Sequence, residues 1–421
     1  MIFATLIFFI LLLFVVYRKN GIDAAFYITA VYIVMLIAGI YVIQYEYDPF
    51  EYADYPISLA PTLVFCSLIG LTILSVSRFD HSSIDEIQIH SRKTIPVLVC
   101  IFGTALLIYL TSQGTELISR LRYGDFAELR KMVYDEDLSD TQYSGIIGII
   151  VLAATIICSF SYIMIPIFCI SLIWEQRNII FRLLTLLCSM GAVFIGIMGI
   201  DRSKVFYYIL IWGLCIVMFW KKFSSKTRKR IMPILLTGFI LLMSYFAIVT
   251  NDRFGERADG NKGGIIWYAG QSYINFCYMW DYLNKPDEFS TRFLLPATNH
   301  FIVGDYSSGL ARQTEISNQT GTFVNVFYTF LGSFLVDCNK SAPFLYVLFY
   351  MLLMAICRRH KVNNEISLFW YIITWILIVI PTTGVISYMY NSYSITLTIF
   401  IVLLTIFTTE YIRSPKELRS A

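Results

Sequence analysis

Eleven apolar runs, at 1–17, 24–43, 57–77, 94–111, 145–172, 180–199, 203–220, 231–250, 334–357, 366–383 and 391–410, constrain this chain more than any motif in it. A helix needs about 20 apolar residues to cross about 30 Å of hydrocarbon, and a water-soluble domain cannot bury so many segments of that length. Composition agrees: 57% of the 421 residues are hydrophobic and 14% charged, too few to coat a water-facing surface. The expected fold is all-α, a polytopic transmembrane helix bundle of about eleven spans forming a single membrane domain over 1–421.

The placement of lysine and arginine orients those spans. Basic clusters occur at Arg18-Lys19, Arg78 with Arg92-Lys93, Arg177 with Arg182, the stretch 221–230, Arg358-Arg359 with Lys361, and Arg413 with Lys416 and Arg419. With the N-terminus outside and eleven crossings, every cluster falls in the cytoplasm, as the positive-inside bias requires. A missed or invented helix would reverse all the later clusters. The C-terminus is then cytoplasmic, and run 1–17, without a basic n-region or a small-residue cleavage site, reads as a retained helix. The net charge of +3 is too small to point to nucleic acid.

Nine cysteines are scattered without a C-x-x-C pair, and Cys66, Cys100, Cys158, Cys188 and Cys215 lie inside apolar runs. Cys277 falls in the long outer loop and Cys338 at the outer end of run 334–357, where either a disulfide or two lone thiols would fit.

Four segments face outward in this topology: an acidic, Tyr-rich turn at 44–56, a loop at 112–144, the junction Asp201-Arg202-Ser203-Lys204, and a long loop at 251–321. The long loop carries Trp267, Tyr268, Tyr273, Phe276, Tyr278, Trp280 and Tyr282, so it should pack. Its stretch 265–283 reads as an amphipathic helix in the outer interface, with Trp and Tyr at headgroup depth. Segment 322–336 is too short and polar to span alone and reads as re-entrant or interfacial. No internal repeat is visible, which disfavours a transporter built from repeats.

Basic residues in the outer loops run against the positive-inside bias and need a reason: Arg120, Arg122, Arg130, Lys131, Arg202, Lys204, Arg253, Arg257, Lys262, Arg292 and Arg312. One is phosphate binding, because a guanidinium is permanently charged and its planar fork matches phosphate oxygens. The other is pairing with the loops' own, more numerous acids. Arg202 and Lys204 stand apart, since a junction of a few residues holds them at the membrane edge. His300 is the one histidine in an outer segment, and an imidazole suits a proton acceptor from a sugar hydroxyl, although a loop histidine without a role is equally compatible. Asp135-Glu136-Asp137 has the D-x-D form of some metal-binding glycosyltransferases, but acidic triplets are common in solvated loops and nucleotide sugars are cytoplasmic. No metal ligand and no cofactor is assigned. Gly-rich phosphate loops, H-E-x-x-H and G-x-S-x-G are absent from the sequence.

Gly199-Ile200-Asp201-Arg202-Ser203-Lys204 is similar to a Gly-x-x-Arg-Ser element ending a central helix. Gly263-Gly264-Ile265-Ile266-Trp267-Tyr268-Ala269-Gly270 is similar to a Tyr-Gly stretch early in a large outer loop. Gly321-Thr322-Phe323-Val324-Asn325-Val326-Phe327-Tyr328 is similar to an Asn-Val-Tyr/Phe-Thr segment. With these, the chain resembles the bacterial Wzy-type oligosaccharide repeat-unit polymerases of O-antigen, capsule and exopolysaccharide synthesis. Arg253 and Gly264 also have the R-x10-G spacing of some members, whereas Arg122 lacks it and Leu335-Val336-Asp337 stands where the family often has Asp-Phe-Gly.

The resemblance implies an architecture of the GT-C or O-antigen ligase kind. It further implies metal-independent glycosyl transfer on the outer face of the bacterial cytoplasmic membrane, from an undecaprenyl pyrophosphate-linked oligosaccharide to a second lipid-linked unit. A flippase and a chain-length regulator of the same pathway are the partners it implies. On this reading Arg202 and Arg253 stabilise the leaving pyrophosphate, His300 is the base, and Arg122, Lys204, Arg257, Tyr268, Arg292 and Arg312 bind substrate, with aromatic faces stacking on sugars. The alternatives are an O-antigen ligase-like transferase, which moves a glycan from the same carrier to another acceptor, a lipid-linked oligosaccharide flippase or transporter, and a polytopic scaffold or receptor.

Overall fold

The structure, a computed structural model, describes residues 1–44, 55–123, 145–174, 178–254, 264–283, 309–322, 324 and 326–412. In chain order the helices are α1 (Ile2–Asn20), α2 (Ala24–Gln44), α3 (Leu59–Phe79), α4 (Thr94–Tyr123), α5 (Gly145–Ser159), α6 (Met164–Ile173), α7 (Ile179–Cys188) and α8 (Gly191–Met198). They continue as α9 (Arg202–Phe219), α10 (Ser225–Phe254), α11 (Gly264–Tyr282), α12 (Gly309–Thr320), α13 (Thr329–Asp337), α14 (Ala342–Arg359), α15 (Leu368–Thr383) and α16 (Tyr393–Phe407). Two three-residue strands, Glu86–Gln88 and Glu365–Ser367, are the only strands among the described residues.

Nine helices among the described residues are long and apolar enough to cross a membrane, and the pair α5 and α6, bent by 51°, adds a tenth. The segment Ile179–Met198, formed by α7 and α8, counts as one of the nine, whereas α15 is apolar but shorter. Each of the eleven apolar runs therefore contains a helix or a broken helix. Large side chains on their outer surfaces, such as Phe3 at 62%, Leu107 at 64% and Leu348 at 66% exposure, would be untenable in water and are ordinary against lipid.

The outer segments are more helical than their composition suggests. Residues 112–123 continue α4, whose 30 residues make about 45 Å of helix, well beyond the hydrocarbon thickness. The run 334–357 divides: Thr329–Asp337 forms α13, the chain breaks at Cys338, and α14 begins at Ala342. Every residue of α13 is buried, so its backbone lies inside protein and not in an interface. Cys277 and Cys338 are both buried free thiols.

The chain divides into two compact units. The first comprises Met1–Asp85, Lys262–Ile366 and Trp370–Thr396, and the second Glu86–Asn261, Ser367–Phe369 and Leu397–Ala421.

In the first unit α11 is not the interfacial helix expected from its aromatic residues. It lies against α2 with Gly270 over Gly39, and its Tyr273, Phe276 and Cys277 are fully buried. The Tyr273 hydroxyl lies 2.9 Å from Thr5 Oγ1 of α1 and 3.0 Å from Thr62 Oγ1 of α3, which ties three helices together at one end. At the same end the Tyr55 hydroxyl meets the Asp281 carboxylate and lies 3.0 Å from the Cys277 carbonyl oxygen. Amphipathic appearance and burial are compatible here because the polar atoms of the helix find partners inside the bundle.

The opposite end of this unit is held by polar side chains. Asn20 Nδ2 donates to the Ser77 carbonyl at 2.6 Å and to Asp23 at 2.8 Å, while Asp23 accepts from the Phe26 amide at 2.8 Å as the N-cap of α2. Lys361 Nζ donates to the carbonyls of Phe79 and Asp80 at 2.8 and 3.1 Å and to Ser83 Oγ at 2.6 Å, satisfying acceptors at the end of α3. Burial raises the Asp23 carboxyl above its usual range, against the hydrogen bonds from Phe26 and Asn20. The folded chain thus holds this proton more tightly than the unfolded one, so Asp23 favours folding most at low pH and less as pH rises through the raised pKa. Asp23→Asn should therefore gain thermal midpoint over the wild type on going from pH 4 to pH 7, a difference that parallel melting curves in detergent will read.

In the second unit α4 packs on α5, α7 and α8. A core of Ala105, Leu106, Tyr109, Leu117, Ala154, Cys158 and Met198 sits toward the end where α8 finishes. The other end is closed by Glu410, 1% exposed, which accepts from Thr94 Oγ1 at 2.5 Å and the His90 amide at 2.7 Å. An acid this deeply buried is held by converging donors.

Candidate functional site

The junction between α8 and α9 has a defined local geometry. The Asp201 amide donates to the Gly196 carbonyl at 2.7 Å and the Ile200 amide to the Ile197 carbonyl at 3.2 Å, the paired bonds of a Schellman helix end. That motif puts its penultimate residue in the left-handed region, and the residue there is Ile200, at φ 49°, although Gly199 stands next to it. A branched side chain in that region costs about 1–2 kcal/mol. Burial offsets some of this cost, because Ile200 is 1% exposed and packs on Val249 and Tyr245 of α10.

Asp201 then caps α9, its carboxylate accepting from the Ser203 amide at 3.0 Å and from Ser203 Oγ at 2.5 Å. Gly196 is required where α9 turns back on α8: a Cβ there would meet Lys204 Cβ at 2.9 Å and the Asp201 carbonyl at 3.0 Å. The Tyr162 hydroxyl donates to the Lys204 carbonyl at 2.9 Å and fixes the first turn of α9 from a third side.

Arg202 is the product of this construction. It is the first residue of α9, is only 2% exposed, and lies with its guanidinium carbon 5.9 Å from the centre of the Phe246 ring of α10. Arg202 and Lys204 bring two cations to the start of α9, where the Asp201 carboxylate takes the capping position beside the positive end of the helix dipole. Lys204, half-buried, follows two residues later. Arg253 lies further along α10, the helix whose Val249 packs on Ile200.

The structure thus brings together Arg202, Lys204 and the helix that carries Arg253, all in the second unit. Arg122 lies exposed in the last turn of α4, also in that unit. Tyr268 and Arg312 sit on α11 and α12 of the first unit, and their side chains, like that of Arg253, lie outside the described residues. Arg257, Arg292, His300 and the triplet Asp135-Glu136-Asp137 lie outside the described residues altogether.

Sequence reasoning overlooked a polar seam inside the first unit. Gln271, Ser272 and Asn275 of α11 are buried, and Asn275 Nδ2 donates to Gln271 Oε1 at 3.2 Å and to the Phe327 carbonyl at 2.8 Å. Gln313 Nε2 of α12 donates to the Tyr328 hydroxyl at 3.1 Å. Thr329 follows at φ 61°, and the amides of Tyr328, Thr329 and Phe330 donate to the carbonyls of Ile386 and Gly384 at 2.8–3.2 Å. The Ser272 and Thr329 hydroxyls are buried without a hydrogen-bond partner among the described residues. The signal that could have found this seam is the Gln-Ser-x-x-Asn spacing, which sets polar residues within one turn of a mostly aromatic helix. The segment 321–328, likened above to an Asn-Val-Tyr/Phe-Thr motif, ends in this seam.

Compared with known proteins, the chain matches no family model, no curated protein and no solved structure.

Proposed function

We propose that this protein is a membrane glycosyltransferase that polymerises undecaprenyl pyrophosphate-linked oligosaccharide repeat units on the outer face of the bacterial cytoplasmic membrane. The observation that carries the reading is Arg202, almost fully buried, held at a helix start by a strained turn, with Lys204 beside it. The topology of eleven crossings with the N-terminus outside supports the outer location. It puts the α8–α9 junction on that side and the Glu410 end of the second unit in the cytoplasm.

The chemistry follows from charge. Breaking the sugar–pyrophosphate bond places negative charge on the departing phosphate oxygen. A fixed guanidinium beside that oxygen binds the transition state more tightly than the ground state. Low dielectric at the membrane edge strengthens the pairing. Arg253 and Arg257 follow along the same stretch of chain, with Arg122, Arg292 and Arg312 as further phosphate or sugar contacts, Tyr268 as a stacking face and His300 as the acceptor base. The resemblance to the Wzy-type polymerases names the acceptor, a hydroxyl of a second lipid-linked unit, and the associated flippase and chain-length regulator.

Deletion of the gene should collapse the surface polysaccharide ladder to a single capped repeat unit on a gel that resolves one repeat. Wild-type protein should restore the ladder and Arg253→Ala should fail to do so at equal membrane abundance. Free polymer left detached would instead identify a ligase-like transferase, and loss of all surface lipid-linked units a flippase. An unchanged ladder would refute glycan chemistry of every kind considered.

A further inference from the structure

We infer that the first unit holds the phosphate group of an anionic phospholipid in a cleft between α3 and α14, independently of any glycan chemistry. The two helices pack together, and near their C-terminal ends Ser75, Arg78, Met351, Met354, Ala355 and Arg358 line a small cleft of about 40 Å³ that is open on one side.

Ser75 and Ala355 are the small residues of its lining, and a larger side chain at either position would take up its space. Two guanidiniums of like charge then border one small space, an arrangement that favours an anion between them. Two other cations at this end are engaged by the protein, Lys361 with its three acceptors and Lys19, whose Nζ lies 3.4 Å from the Ser77 carbonyl, while Arg359 does not line the cleft. Arg78 and Arg358 are exposed, and among the described residues neither side chain has a hydrogen-bond or ion-pair partner. Each sits in the last turn of its helix, where a cation complements the dipole, yet neither bonds a terminal carbonyl as Lys361 does.

The apolar surroundings select a lipid over a free anion. Leu71, one turn before Ser75, is 41% exposed, and Leu348, nearly one turn before Met351, is 66% exposed. By helical spacing both lie on the faces that carry the cleft residues, so exposed apolar surface continues from the cleft along α3 and α14. An amphiphile whose phosphate meets Arg78 and Arg358 would lay its acyl chains there, the geometry of a headgroup site between spans.

The test is native mass spectrometry of the full chain released from nanodiscs of equal parts phosphatidylglycerol and phosphatidylcholine. Wild-type protein should retain phosphatidylglycerol in preference to phosphatidylcholine. The double variant Arg78→Gln, Arg358→Gln should lose about fivefold of that preference for each guanidinium removed. Arg359→Gln, which removes the same charge outside the cleft, should retain it. Ala355→Leu keeps both charges but fills the cleft and should lose the preference like the double variant, with each protein checked for an unchanged elution profile. Equal retention by the double variant, or an equal loss in Arg359→Gln, would overturn the site. So would binding of inorganic phosphate to protein in pure phosphatidylcholine discs without any preference for phosphatidylglycerol, since the ligand would then be a free anion.

Discussion

Arg202→Ala should cut glycan transfer by about 100- to 1,000-fold, the scale on which loss of one fixed donor to a developing anion acts. The assay is transfer between purified lipid-linked repeat units in proteoliposomes, with the quantity of inserted protein measured alongside. Truncation also empties space beside Phe246, so a loss of folding must be told apart from a loss of catalysis. Arg202→Met keeps most of the volume without the charge, and Arg202→Lys keeps the charge without the fork. A catalytic guanidinium predicts that Arg202→Met is as inactive as Arg202→Ala at an unchanged thermal midpoint, with Arg202→Lys between it and the wild type. Full transfer by Arg202→Met would remove Arg202 from the mechanism.

That Arg202 stands in a short junction between two apolar helices was legible from sequence, because only a few residues separate one apolar run from the next there. Its burial was not. It depends on the Schellman turn with Ile200 in a conformation that propensity would assign to Gly199, and on the aromatic face that α10 brings from more than 40 residues away. Hydropathy likewise located the spans but not the extension of α4 past the hydrocarbon, since a helix that continues into water keeps its hydrogen bonds while losing its apolar pattern. The split of run 334–357 was hidden for the opposite reason. Segment 329–337 is apolar because it is buried in protein, and hydropathy alone does not distinguish that from burial in lipid.

Placement of α11 in the outer interface failed on a contact between glycines. Trp and Tyr at headgroup depth were a reasonable expectation for 265–283, but Gly270 lets the backbone of α11 approach α2 closely. A side chain is also absent at Gly39, and small residues meeting across two helices are a standard way for spans to pack without a hydrophobic driving force. Tyr273 and Phe276 of α11 then serve as core: Phe65 of α3 meets Tyr273 at a ring separation of 5.0 Å and Phe276 at 5.6 Å.

Gly270→Ala should therefore be severely destabilising although it adds one methyl group. A Cβ at 270 would lie 2.5 Å from the carbonyl carbon of Ala38 and 2.6 Å from the amide nitrogen of Gly39, both main-chain atoms that cannot rotate aside. The helices would have to separate, opening the layer of Thr5, Thr62 and Tyr273 as they did so. Overpacking against movable side chains costs about 1–3 kcal/mol, and rigid backbone puts this substitution at or above the upper end. Gly39→Ala is the internal comparison. Its Cβ would meet the Gly270 carbonyl oxygen and the tip of Ile2, each at 3.0 Å, and the isoleucine can rotate. Thermal melts followed by size-exclusion in detergent should rank wild type above Gly39→Ala and Gly39→Ala well above Gly270→Ala. A Gly270→Ala protein as stable as the wild type would mean that α11 does not pack on α2 at this point, and an interfacial helix would again be the better description of 264–282.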